Sequence, residues 1–216
     1  MPEELQSEQA FQALLQALRV GNIRSSEFMA MPMLAETLGF PLAPTREAVK
    51  RAEAQSLLSV LPKRGVIIME AGPETTRECM EMRALLEKEG IKRLLDSNAA
   101  ELRALRNAHE DLLDDASHAP RGDLSKRALA TDLSLHDFMA SGLDNTFLRQ
   151  AYAANRNRIS VIQNARSFLA DRVVPAMQEH LEIITALEQG DGATAIERIE
   201  HHLHLTLRWW GVNNAA

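Results

Sequence analysis

Cysteine is nearly missing from this sequence: Cys79 is the single one among 216 residues. No internal disulfide can staple the fold, and such usage suits a reducing compartment. Aromatic residues are also scarce, at 4%, and few stretches alternate with period two, which leaves little from which to build large sheets. No apolar stretch approaches the ~18 residues that suggest a membrane span, and neither a basic run nor an acidic tail is present. The opening MPEELQSEQAFQALL has neither the positive flank nor the apolar block of a secretory signal. A cytoplasmic protein without a membrane partner is therefore expected. The formal net charge of -6 gives no bulk attraction for a polyanion, so any affinity for nucleic acid has to come from local placement of charge.

What is abundant is Leu, Ala, Glu, Arg and Met, the residues that lose least on entering a helix. The length allows one large domain or two small ones, and a domain of ~140 residues buries about two-thirds of its unfolded surface. FQALLQALRVG (11–21) reads as an amphipathic helix ended by Gly21, MLAETLGF (33–40) as a short helix ended by Gly39, and LAPTREAVKRAEAQSLL (42–58) as a third with Pro44 in its first turn. SVLPKRGVIIME then reads as two strands turning at Lys63, Arg64 and Gly65. Helix, helix, helix, hairpin is the pattern of a winged helix-turn-helix over residues 1–72. The Gly and Pro of AGPETTRE mark a boundary. Beyond it, residues 73–216 read as an all-α bundle of six helices, at about 74–93, 97–116, 122–142, 145–170, 172–189 and 192–210. The expected class is mainly α.

Polar residues interrupt the apolar stripes of three of these helices. Asp132 and His136, four apart, fall in line with Leu129, Met139 and Leu143. His180 falls in line with Val173, Met177 and Ile184. In IEHHLHLTLRWWG the stripe through Ala195, Ile199 and Thr206 selects His202, while His201 and His204 lie toward Glu197, Arg198 and Arg208. Three helices thus aim an Asp and three His at one interior, which makes either a metal site or a hydrogen-bonded polar core. One carboxylate oxygen and three imidazole nitrogens suit zinc or nickel foremost, and also iron, cobalt or manganese. No H-E-x-x-H is present and no general base stands beside the four, so a hydrolase gains no support. Arg83, in line with Cys79 and Leu86 or Glu87, either turns inward to clamp a carboxylate or snorkels to the surface. In the N-terminal module Arg46, Lys50 and Arg51 on the third helix and Lys63 and Arg64 in the wing are the basic candidates, although residues 1–72 hold seven Lys and Arg against eight Asp and Glu.

The order of these features resembles the GntR family of bacterial transcription regulators, in the subgroup whose C-terminal domain is called FCD. The N-terminal half of the resemblance is LAETLGFPLAPTREAVKRAEAQSLLSVLPKRGVII; the C-terminal half is D-x-x-x-H at 132–136, E-H at 179–180 and H-L at 202–203, with 22 residues from His180 to His202. The resemblance implies a homodimer that binds double-stranded operator DNA, a divalent metal on Asp132, His136, His180 and His202, and a small carboxylate effector facing Arg83. It places the DNA contacts among Thr45, Arg46, Lys50, Arg51, Lys63, Arg64 and Gly65. This sequence departs from the pattern at Pro41, Leu42, Ala43 and Pro44, where the family commonly reads S-R-T-P, and at Pro32, where a basic residue is common. The reading is a ligand-responsive regulator, a repressor rather than an enzyme. The alternative is a metal-dependent enzyme or metal sensor with a degenerate DNA-binding module.

Overall fold

A computed structural model of the chain describes residues 3–94, 99–118, 123–166 and 170–212. Its elements run α1 (Glu3–Arg19), β1 (Phe28–Met29), α2 (Met31–Leu38), α3 (Leu42–Ala54), β2 (Leu58–Leu61), β3 (Gly65–Ile68), α4 (Pro73–Leu94), α5 (Ala99–His118), α6 (Leu124–Ser141), α7 (Thr146–Ala165), α8 (Ala170–Glu188) and α9 (Gly192–Trp209). The chain divides into two compact units. One holds everything up to Cys79 together with Ala153–Arg166; the other holds Met80–Tyr152 together with α8 and α9. A linear division at residue 72 therefore misses the second half of α7. No helix among the described residues is long and apolar enough to cross a membrane.

In the first unit, α1 buries Ala10, Phe11, Leu14 and Leu18, a stripe at helical spacing, against Leu34 and Leu38 of α2 and Ala48, Val49 and Ala52 of α3. Gly39 ends α2 in the left-handed conformation at φ 72°, its N–H reaching the carbonyls of Ala35 and Glu36. The sequence pattern carries α3 to residue 58, but the helix stops at Ala54 and the chain turns through Ser56 at φ 56° before Leu57 and Leu58 enter the core from the strand side. The hairpin pairs Leu58 with Ile68 and Leu61 with Gly65. A third strand, β1, adds to its other edge to give the order β1-β3-β2. Gly65 has φ 149°, and a Cβ there would lie 2.2 Å from the Met29 carbonyl oxygen, so the close approach of the end of β1 to the start of β3 requires glycine. The second half of α7 joins this unit through Val161 and through polar bonds: Asn155 Nδ2 donates to the Cys79 carbonyl, Arg158 Nε to the Gln55 carbonyl, and Arg19 Nη2 to Asn157 Oδ1.

In the second unit, Leu102 and Leu105 of α5, Leu135, Phe138 and Met139 of α6, Ile183, Ile184 and Leu187 of α8 and Ala195 and Ile199 of α9 form one apolar core. The helices begin where acidic caps stand: Asp123 accepts from the Lys126 N–H at 3.0 Å, and Asp191 from the Thr194 N–H at 3.0 Å. Helix α4 approaches the C-terminal end of α6 with backbone against backbone, at Gly90 beside the Met139 carbonyl and Gly142 beside the Gly90 carbonyl. That approach brings the face of α4 carrying Arg83 and Glu87 onto α6.

Candidate functional site

Asp132 and His136 sit one turn apart on α6, His180 lies in the middle of α8 and His202 in the middle of α9. All four are buried, none more than 4% exposed, and each offers a ligand atom within 4.8 Å of the other three. Inward, His180 Nε2 is 3.4 Å from His202 Nε2 and 3.6 Å from Asp132 Oδ1, and His136 Nε2 is 3.7 Å from Asp132 Oδ1. His201 and His204 are exposed. The phase argument that separated His202 from its two neighbours thus agrees with the burial of all three.

The outward nitrogens meet their own partners. His202 Nδ1 stands 2.7 Å from Glu179 Oε2, and since a carboxylate only accepts, Nδ1 carries the hydrogen and Nε2 turns a lone pair to the centre. Arg172 Nη1 and Nη2 hold Glu179 at 2.5 and 2.7 Å, and Nη2 also donates to Thr206 Oγ1 at 3.2 Å. His136 Nδ1 approaches Glu87 Oε1 at 3.0 Å without the alignment of a hydrogen bond, and His136 Nε2 is buried with no hydrogen-bond partner. Arg83, 4% exposed, turns inward, its Nε 3.6 Å from Glu87 Oε1 and its Nη1 3.9 Å from Asp132 Oδ2.

Burial acts on every one of these groups, and the neighbours decide the outcome. It pulls His180 well below the ordinary imidazole range, and His202 adds to the effect. It pulls His202 down against the hydrogen bond to Glu179. Burial and Arg83 work to lower His136, but Glu87 and Asp132 outweigh them and raise it. Burial alone would raise Asp132; His136, His180 and Arg83 instead hold it well below the carboxylate range. A carboxylate held low and the lowered His180 and His202 match the deprotonated ligands a divalent ion takes, whereas His136, raised, has to release its proton to join them. An orphaned His136 Nε2 and a His202 lone pair facing the same point fit a cation, and the donor set suits a borderline divalent one.

Sequence reasoning gave Glu179 no role at the site and missed three further contributors: His109 on α5, Arg172 on α8 and Glu87 on α4. All three are buried. His109 falls on the stripe Leu102, Leu105, His109, Leu112, so the same phase test that found His202 would have found it.

The DNA-facing candidates fare unevenly. Arg46 and Lys50 are exposed on one face of α3, and Lys63 and Arg64 are exposed in the wing. Thr45 is fully buried, its hydroxyl donating to the Pro41 carbonyl at 2.8 Å, so its side chain closes the first turn of α3 instead of standing on the outer face. Gly65 is likewise buried and serves the close approach of β1 to β3. Arg51 is turned toward α1: Nη1 lies 2.5 Å from Glu8 Oε2, and the guanidinium lies over the Phe11 ring at 4.2 Å. An Arg51→Ala variant is expected to lose about 1 kcal/mol of stability, from a half-exposed ion pair and a cation–π contact. Denaturant titration reads the loss, and a midpoint unchanged from wild type would contradict the tie to α1.

The FCD domain family model matches residues 78–205, more than half of the chain. An HTH-type transcriptional regulator in the TAR-I ttuE-ttuC' intergenic region of Agrobacterium vitis is 30% identical over 136 residues, which cover 61% of this chain and 77% of that protein. Two solved structures share the fold. McbR/YncC of E. coli matches with TM-score 0.75 at 16% identity, over 95% of this chain and 97% of its own. A GntR transcriptional regulator from a Rhodococcus species matches with TM-score 0.76 at 17% identity, over 96% and 99%. The helical unit matched by the family model and the winged helix before it make the chain a member of the FCD-domain family, a transcriptional regulator of the GntR type.

Proposed function

We propose that this regulator reads operator DNA as a homodimer and represses, and that its helical domain holds a divalent metal, zinc or nickel foremost, on Asp132, His136, His180 and His202. The observation that carries the metal reading is the convergence of those four buried groups, with ligand atoms within 4.8 Å of one another. When bound, the ion would offer an electrophilic centre to a carboxylate oxygen. Arg83, buried 3.9 Å from Asp132 Oδ2, stands where its planar fork would take the other side of a small organic acid. Such an acid has to compete with Glu87 and Asp132 for the guanidinium. Its binding therefore rearranges ion pairs between α4 and α6, and this gives it a different affinity for two arrangements of the domain, the requirement for shifting a population. Helices α4 and α7 contribute residues to both units and supply the covalent route to the winged helix.

On the DNA side, Arg46 and Lys50 of α3 and Lys63 and Arg64 of the wing are exposed cations that the structure does not turn toward α1. In a gel-shift experiment with DNA from upstream of its own gene, the protein is expected to retard one fragment specifically at moderate salt and to release it on adding the cognate acid. No specific retardation of any fragment would sink the regulator mechanism. For the metal, elemental analysis is expected to give roughly one ion per chain in wild type and little in His202→Ala. Equal content in the two proteins would overturn the ligand assignment.

A further inference from the structure

His109 lies on α5, a helix that carries none of the four proposed ligands, and it is fully buried. Its Nδ1 is 2.7 Å from the Leu105 carbonyl oxygen and its Nε2 is 3.2 Å from His180 Nδ1. A carbonyl oxygen only accepts, so His109 Nδ1 carries a hydrogen. In a neutral ring that leaves Nε2 with a lone pair, and the hydrogen in the 3.2 Å contact then belongs to His180 Nδ1. His180 Nε2 is left with its own lone pair, and it is this atom that lies 3.4 Å from His202 Nε2 and 3.6 Å from Asp132 Oδ1. The reverse arrangement needs a second proton on a fully buried imidazole. It would also put a hydrogen on His180 Nε2, where it excludes a metal.

We infer that His109 is a positioning residue: through the Leu105 carbonyl it selects the metal-binding tautomer of His180 and fixes the plane of that ring. The inference rests on the metal reading above. The two rings meet edge to face, with centroids 5.2 Å apart at 61°, so rotation of His180 about its own axis breaks the contact. Glu179 does for His202 with a carboxylate what His109 does for His180 with a neutral ring. An uncharged acceptor suits a place where Asp132, Glu87 and Glu179 already supply the buried negative charge.

The test uses the full-length chain. Nitrogen-15 and carbon-13 histidine NMR of the metal-free wild type is expected to show His180 with its hydrogen on Nδ1, and His109→Phe, which keeps a ring but removes the acceptor, is expected to lose that preference. Zinc titration against a chromophoric chelator is expected to give His109→Phe an affinity about 10–100-fold weaker than wild type. His109→Gln, whose side-chain oxygen can still accept from Nδ1–H, is expected to recover most of it. A His180 hydrogen on Nε2 in wild type, or zinc affinity in His109→Phe equal to wild type, overturns the inference. So does weaker zinc binding with the His180 tautomer unchanged. Failure of the wild type to bind zinc would remove the metal reading, and the tautomer comparison would still decide the role of His109. Should His109→Phe not fold, the wild-type tautomer and the zinc affinity of His109→Gln decide.

Discussion

Gly90→Ala is expected to destabilise the protein by roughly 3 kcal/mol, the upper end of what overpacking costs, and to lower the melting temperature by about 10 °C. Helix propensity predicts the opposite sign, because exchanging a glycine inside a helix for alanine is worth about 1 kcal/mol in favour of folding. Packing decides the sign here. A Cβ on Gly90 would lie 2.1 Å from the Met139 carbonyl oxygen, and one on Gly142 would lie 2.2 Å from the Gly90 carbonyl oxygen. The opposing atoms are backbone, so no side chain can rotate away and the two helices have to part. The damage reaches the candidate metal centre, because Glu87 precedes Gly90 by one turn on α4 and His136 precedes Met139 by one turn on α6. Parting the helices there pulls Glu87 from its place 3.0 Å from His136 Nδ1. Thermal unfolding checks the outcome, and a melting temperature equal to or above that of wild type would mean that α4 and α6 are not in this contact.

Arg172→Met is expected to cost about 3 kcal/mol, because it strands a carboxylate in the interior instead of merely deleting a bond. Side chains of Arg172 and Glu179 are only 6% and 11% exposed. Burial would raise the Glu179 carboxyl, and the hydrogen bonds from Arg172 and His202 reverse this and hold it low. Removing the guanidinium leaves His202 as the remaining donor to that carboxylate among the bonds described above. The double variant Arg172→Met with Glu179→Leu removes both charges together and is expected to recover about 2 kcal/mol relative to the sum of the single changes. Denaturant unfolding of the four proteins measures that coupling. A coupling below about 0.5 kcal/mol would show that the pair behaves as an ordinary solvated ion pair. Because Glu179 also orients His202, Arg172→Met links stability of the domain to the geometry of a proposed ligand.

Most of the helical architecture was readable because the relevant signal repeats along the chain. The stripes through Asp132 and His136, His180 and His202 extend over several turns each, so the phase of one polar residue against its apolar neighbours is well determined. Interactions that depend on a single backbone position left no such trace. β1 is two residues long, and Phe28 and Met29 join the sheet by pairing with Ile67 and Val66, which no periodicity reveals. The end of α3 is set by a left-handed residue at Ser56, while the apolar pattern runs on unbroken through Leu57 and Leu58. Arg172 lies one turn from buried Ala176 in the first half of α8, and its role depends on Glu179, two turns on, closing on it. The placement of α7 was hidden for a different reason. Its amphipathic pattern is continuous from end to end, and single contacts, Val161 in the core and Asn155, Asn157 and Arg158 bonded to Cys79, Arg19 and Gln55, assign its second half to the winged-helix unit.

The wing tip carries a consequence for how such a protein can vary. Lys63 holds φ 63°, a conformation that glycine or asparagine adopts with less strain and that costs an ordinary side chain about 1 kcal/mol. Selection for stability alone would favour glycine at that position. A lysine there spends some of the hairpin's stability on a cation in the turn, next to Arg64, in a module (residues 1–72) where acidic residues outnumber basic ones eight to seven. Under the DNA contact proposed for the wing, the residue at the tip of the turn sets a trade between the stability of the hairpin and the charge held out toward phosphates.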